Sequence, residues 1–174
     1  MEIYKLVGYI LVMVGCGGLG ICYSNRFKEN ISNLKKLCYI LEQLKSQVRY
    51  GRSTLPECCF CLGERLEEPY RSAFLEIYEK TGENTGESFG EVSSEVLGRV
   101  LTAVILGKEE KDLFVSCFAN PGFEDNEMQL RNVERIENEL DRHLHVLMKE
   151  SPSKCKLALC LGIMSGLLIV ILFL

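Results

Sequence analysis

The chain has 174 residues, of which 47% are hydrophobic and 25% charged, and its formal net charge is −4. The high aliphatic content excludes a disordered chain. A nucleic-acid partner is disfavoured, because no basic patch is large enough to neutralise a phosphate backbone. Two apolar stretches lie at the two ends of the chain, and the part between them is long enough for one compact domain but not for two.

The terminal apolar stretches, residues 6–23 and 157–174, contain no Asp, Glu, Lys or Arg. A helix of this length reaches about 27 Å at ~1.5 Å per residue, close to the hydrocarbon thickness of a bilayer. Lysines and arginines follow the first stretch and precede the second, which places the central part in the cytoplasm. We therefore predict transmembrane helices at 3–24 and 155–174, flanking a cytoplasmic helical domain at 25–154.

Two other interpretations of the first stretch compete with a retained span. A cleaved signal peptide would need a small-x-small cleavage site followed by a polar segment. The chain has no such arrangement before Tyr23. The sequence around Cys16 loosely resembles a bacterial lipoprotein processing site, which would place the domain outside the cell. The charge asymmetry favours the retained span. In the last stretch, Gly162 and Gly166 have the small-xxx-small spacing that lets two helices approach closely in lipid.

The central part shows only helical periodicity, and no run of alternating residues indicates a strand. The sequence therefore predicts an all-α fold, an antiparallel bundle of about six helices flanked by an N-terminal and a C-terminal transmembrane helix. The second helix is expected to begin with Thr54 as N-cap, Pro56 in the first turn and Glu57 completing a capping box. The last helix of the bundle is expected to end near Lys149 and to be broken at Pro152.

Two further helices have apolar positions at three- and four-residue intervals. The buried face of the fourth helix is predicted to consist of Phe89, Val92, Val96, Val100, Ala103 and Val104. The buried face of the sixth is predicted to consist of Leu130, Val133, Ile136, Leu140, Leu144 and Leu147. Glu124, Asp125 and Glu127 are expected in the first turn of the sixth helix, where the helix dipole favours acids.

Nine cysteines are present, and Cys58 and Cys61 form a C-x-x-C pair that would lie one turn apart on a helix. Such a pair could bind a metal or cycle as a disulfide. A structural zinc site needs about four ligands, and the chain has no second C-x-x-C. The two histidines, His143 and His145, would point to different sides of one helix. Core packing is therefore predicted, with a thiol- or metal-dependent membrane protein as the alternative.

The sequence lacks the residues of a recognisable enzyme. No set of acid, base and nucleophile is apparent, and Glu87 occupies the place where a phosphate-binding loop needs a lysine. We predict that the protein is not an enzyme, and we assign no catalytic, cofactor-binding or metal-binding residue.

Three stretches resemble a known family. Residues 39–57, which end in Thr54-Leu55-Pro56-Glu57, resemble the segment around T-P-L-P-E-A in the stage III sporulation protein AB family. Asp125-x-x-x-Gln129 and the glycine-bearing final span are also similar to that family. The family's proline after the threonine is absent here, Cys58 replaces its alanine, and its L-G-x-S-D is degraded at residues 121–125.

The resemblance implies a role in sporulation, in a protein similar to the cytoplasmic helical domains of type II secretion and type IV pilus platform proteins. It implies a mother-cell membrane platform in a channel complex that links mother cell and forespore. The expected partners are a cytoplasmic ATPase, stage III sporulation protein AA, and other channel-complex proteins, and homo-oligomerisation is left open. The family motifs mark these candidate positions for an interface or for bundle integrity: Gly51, Thr54, Leu55, Pro56, Glu57, Asp125 and Gln129. Helix capping alone would explain Thr54, Pro56 and Glu57.

Overall fold

The computed structural model describes residues 2–50, 54–82, 88–119 and 126–172. These residues form six helices and no strand, which confirms the all-α prediction for this part of the chain. The helices are α1 (Glu2–Tyr50), α2 (Leu55–Arg65), α3 (Tyr70–Gly82), α4 (Phe89–Ala103), α5 (Lys108–Ala119) and α6 (Asn126–Leu172).

The chain divides into two compact units. Unit 1 combines residues 1–31 with 145–174, and unit 2 comprises residues 32–144. Both boundaries fall inside α1 and α6, so these two helices contribute to both units. The predicted spans at 3–24 and 155–174 both belong to unit 1.

The described residues form six helices in all, because α1 and α6 each run without interruption through a predicted span and a predicted helix of the bundle. Residues 21–50 contain neither Gly nor Pro, so nothing interrupts α1. The predicted break at Pro152 is wrong, since this proline lies inside α6. Lys154 pairs with Glu150 across it, Nζ to Oε2 2.7 Å, and lies 5.3 Å from the ring centre of Phe27.

The core of unit 2 is formed by one apolar face from each of its six helical segments. In α6 the predicted positions Val133, Ile136, Leu140 and Leu144 are buried. Three aromatic side chains meet at its centre, where the ring of Phe118 lies 5.4 Å from those of both Phe74 and Phe114. All three are at most 1% exposed, so they are a main source of hydrophobic stabilisation.

The buried face of α4 includes the predicted Val92 and Val96 but differs from the prediction at other positions. Leu97 and Leu101 are buried, whereas Ala103 is exposed. Ser93 is also fully buried, and its hydroxyl donates a hydrogen bond to the Phe89 carbonyl. A serine satisfied in this way can lie in an apolar interface.

At two glycines of α4, replacement by alanine is expected to have opposite effects on the stability of the protein. A Cβ on Gly90 would clash with the backbone carbonyl of Ala119, whereas a Cβ on Gly98 would meet nothing within 4 Å. Gly98→Ala should stabilise the protein by about 0.5–1 kcal/mol through helix propensity. Gly90→Ala should destabilise it by about 1–3 kcal/mol, because backbone atoms cannot move aside easily. Thermal unfolding of the two variants checks this pair, and equal shifts would contradict the described approach of α4 to α5.

Unit 1 brings the apolar parts of α1 and α6 together through glycines. A Cβ on Gly162 would lie 2.8 Å from the Cys16 carbonyl oxygen, and one on Gly20 would lie 2.8 Å from the Ala158 carbonyl oxygen. Gly166, the other member of the predicted spacing, is buried. The missing side chains therefore allow the two helix backbones to touch.

One helix among the described residues is long and apolar enough to cross a membrane. It is α6, in which an 18-residue window has a mean hydropathy of 2.0 and is only 6% buried. This agrees in length and composition with the predicted C-terminal span. Many side chains of residues 1–13 lie outside the described set, and the N-terminal span stays a prediction.

Candidate functional site

The ends of five helices meet in a small cleft in unit 2, which we call the end cleft. Leu55 begins α2, Phe89 begins α4, and Gln129 lies in the first turns of α6. The cleft is lined by Leu44, Leu55, Phe89, Cys117, Phe118, Gln129, Asn132 and Val133. Two of the motif residues, Leu55 and Gln129, therefore line the same cleft although they are far apart in sequence.

The remaining motif residues of α2 form its N-terminal cap. Thr54 is the N-cap, and its backbone N–H donates to Glu57 Oε2 at 2.7 Å. Pro56 lies in the first turn, where its missing N–H has no partner to lose. This geometry accounts for Thr54, Pro56 and Glu57 as a helix start that fixes the position of Leu55. Gly51 and Asp125 lie outside the described residues.

Two ion pairs join α1 to α6 on the same helices that reach the end cleft. Lys45 Nζ lies 2.7 and 2.5 Å from the two carboxylate oxygens of Glu137, and Arg49 lies 2.5 Å from Glu134. Sequence reasoning missed both pairs. The signal available in the sequence was spacing. The two cations are four residues apart and the two acids three residues apart, so the cations share one face of α1 and the acids share one face of α6.

His143 of α6 lies in a second polar contact that the sequence did not indicate. Its Nδ1 is 3.3 Å from Glu110 of α5, and its Nε2 is 3.6 Å from Glu139 and 3.9 Å from Glu109. The His143 side chain is only 15% exposed. This contact links α5 to α6. Within the described residues, no group of three or more His, Cys, Asp or Glu has the arrangement of a metal site.

The C-x-x-C pair lies on α2, with Cys58 fully buried and Cys61 partly buried. Burial raises the pKa of Cys58 to about 11 and that of Cys117 to about 12. It also raises the pKa of Cys59. Since the thiolate is the nucleophile and the metal ligand, these thiols are held in their inert form at neutral pH.

We expect Cys58, Cys59 and Cys117 to resist Ellman's reagent at neutral pH while the protein is folded. Each should react fully once the chain is unfolded in denaturant, because burial is what keeps the thiol protonated and inaccessible. Mass spectrometry of the modified peptides gives the result for each cysteine. Rapid modification of Cys58 in the folded protein would revive the thiol alternative.

A comparison with protein families identifies the relatives of this chain. The model of stage III sporulation protein AB (spore_III_AB) matches residues 5–174. The chain belongs to this family. It is therefore a sporulation-associated protein, and membership in a family of sporulation structural proteins favours a non-enzymatic role over the thiol or metal alternative.

A solved structure titled stage III sporulation protein AB (SpoIIIAB) is similar to this member of the family. The TM-score is 0.62 at 16% sequence identity, and the match covers 71% of this chain and 96% of that chain. At this identity the likeness shows a shared fold. A search of curated proteins finds no match.

Proposed function

We propose that this protein is a non-enzymatic platform of the channel complex between mother cell and forespore. In this proposal both ends of the chain span the mother-cell membrane and unit 2 faces the cytoplasm. The observation that carries the proposal is the family match over nearly the whole chain. The exposed apolar window of α6 supports the membrane location, since side chains of this kind need lipid or protein around them.

The end cleft is the proposed docking site for the cytoplasmic ATPase, stage III sporulation protein AA. Support comes from Leu55 and Gln129, which line the cleft and belong to the motifs that resemble the family. Both side chains are partly exposed. A partner that packs an apolar group over the exposed part of Leu55 could also hydrogen-bond the Gln129 amide, and a few such contacts carry much of the binding energy at many interfaces.

A binding measurement with the full-length chain tests this site. The chain is reconstituted in lipid nanodiscs, and its affinity for the purified ATPase is measured by microscale thermophoresis. We expect Gln129→Lys to weaken binding roughly tenfold or more, because it places a charge in a contact that the partner would desolvate.

The matched control is Asn138→Lys, which adds the same charge on the same helix at an exposed position outside the end cleft. It should leave the affinity unchanged. Equal loss with both variants, or no binding by the unmodified chain, would contradict docking at the cleft.

A variant of the helix cap distinguishes a role of Thr54 in binding from its role in folding. Thr54→Asp keeps an N-cap side chain and should preserve unfolding temperature, since Asp caps helices as well as Thr. If the ATPase contacts Thr54 itself, this variant would bind weakly while remaining folded.

A further inference from the structure

Four exposed cations of unit 1 lie close to one level along its two helices. Gly162 of α6 approaches Cys16 of α1. Further along α1, the Ser24 carbonyl oxygen lies 4.0 Å from Cys155 Sγ. The helices are therefore antiparallel, with residues 24 and 155 at the same level. At ~1.5 Å per residue, the four cations near this level fall within about 10 Å along the helix axes. We call them the basic band: Arg26, Lys28, Lys149 and Lys156.

The basic band has an excess of positive charge. Within the described residues, its four cations form no ion pair and no side-chain hydrogen bond. Residues 22–31 and 145–156 contain two acids. One of them, Glu150, pairs with Lys154, Nζ to Oε2 2.7 Å, so Glu29 is the one carboxylate left beside four free cations. Unit 2 has the opposite balance, with 14 Lys and Arg but 21 Asp and Glu.

Exposed apolar side chains begin where the basic band ends. Leu157 follows Lys156 directly in α6 and is 59% exposed, and Tyr23 lies just before Arg26 in α1 and is 57% exposed. Beyond these two residues, the terminal stretches contain no Asp, Glu, Lys or Arg. The surface of unit 1 therefore changes from cationic to apolar over a single helical turn.

This order of charge and apolar surface selects one class of ligand. A phospholipid carries its anionic headgroup next to its acyl chains, in the same order as the surface of unit 1. A free anion would match the cations but would leave the adjoining apolar side chains in water. An acidic segment of a soluble protein would do the same. Clusters of about 4–8 Lys or Arg beside a membrane span are typical of binding to anionic lipids.

We propose that the basic band binds the headgroups of anionic phospholipids in preference to neutral ones. The inference rests on the proposed membrane location of unit 1 and adds the class of lipid that surrounds it. Lys149 and Lys156 are seven residues apart, almost two helical turns, so they share one face of α6 and can reach neighbouring headgroups. Their long stems let both ammonium groups extend along the helix to the level of the phosphates.

Native mass spectrometry of the full-length protein tests this preference. The protein is delipidated in detergent and mixed with equal amounts of phosphatidylglycerol and phosphatidylcholine that carry identical acyl chains. We expect the bound phosphatidylglycerol to exceed the bound phosphatidylcholine by at least about fivefold, because the cations attract a net negative headgroup. A hundredfold excess of glycerol phosphate, which has the headgroup charge but no acyl chains, should leave the lipid bound.

The charge dependence of the preference identifies the basic band. Replacing all four of its cations with glutamine should reduce the preference to less than about twofold. Exchanging Lys and Arg at the same four positions should retain it, because the charges stay. The matched control replaces four exposed, unpaired cations of unit 2 with glutamine and should also retain it, although the net charge changes equally: Lys35, Lys36, Arg65 and Lys108.

A smaller variant covers the case in which the fourfold glutamine variant does not fold, as judged by circular dichroism. Lys149→Gln with Lys156→Gln changes one face of α6 and should lower the preference by at least about twofold.

Several results would overturn the inference. They are equal binding of the two lipids by the unmodified chain, a preference that survives loss of the basic band, an equal loss in the unit 2 control, and displacement of the lipid by glycerol phosphate. Each of these leaves the proposed membrane location intact if carbonate does not extract the protein from membranes. Extraction by carbonate would overturn the membrane location and this inference together.

Discussion

Replacing Phe74 with alanine is expected to lower the free energy of unfolding of unit 2 by about 3–5 kcal/mol. Phe74 is fully buried, and its ring lies 5.4 Å from that of Phe118. The change removes apolar area and leaves a cavity that the surrounding helices can fill only in part. It also removes a favourable tilted ring contact.

The matched control is Phe60→Ala, which removes the same side chain from α2. Phe60 is 38% exposed, and its ring lies 5.1 Å from that of Tyr78. Much of its area is already in water, so we expect a loss of about 1 kcal/mol or less. Thermal unfolding in detergent, followed by circular dichroism, compares the two variants. At about 4 °C per kcal/mol, the Phe74 variant should melt at least about 12 °C below the unmodified protein. Similar melting temperatures would show that the aromatic cluster does not hold the unit together.

Replacing Gly162 with leucine is expected to separate the apolar parts of α1 and α6. The new Cβ alone would lie 2.8 Å from the Cys16 carbonyl oxygen. A backbone atom cannot rotate away, so one helix must shift, at a cost of about 1–3 kcal/mol or more. Helix association in lipid depends on close packing rather than on water exclusion, and the contact should therefore be lost.

Crosslinking measures this separation directly. Cys155 Sγ lies 4.0 Å from the Ser24 carbonyl oxygen, so Ser24→Cys provides a thiol partner for a short bismaleimide. The link should form in the parent chain and fall strongly with Gly162→Leu. The chain with native Ser24 gives the background from the other cysteines.

Gly18 provides the control for Gly162→Leu. A Cβ on Gly18 would meet nothing within 4 Å, so Gly18→Leu adds the same bulk to α1 without a clash. It should leave the crosslink unchanged. If both leucine variants lose the crosslink equally, added bulk rather than this contact is responsible.

Helical periodicity was sufficient to predict the type of every described element and most of the core of α6. It was insufficient at α4, because apolarity alone cannot show that the hydroxyl of Ser93 is satisfied by the Phe89 carbonyl. It also failed at Pro152. Proline ends helices on average, but α6 continues through Pro152.

The candidate site shows the same division between local and long-range information. The start of α2 follows from Thr54 and Glu57, since a capping box involves residues three apart. The shared cleft of Leu55 and Gln129 could not be derived in this way, because it depends on how α2 and α6 pack. The approach of Gly90 to Ala119 is equally long-range, and from sequence Gly90 is only a weak helix former.

The end cleft is assembled from residues between Leu44 and Val133, contributed by five different helices. No single hairpin or nascent fragment can present it, so it exists only on chains that have finished folding. A ligand of the cleft would therefore stabilise the entire unit by mass action rather than one local segment. A partner that binds this cleft during assembly would therefore bind only folded copies of the protein, and incompletely folded copies would be left out of the assembly.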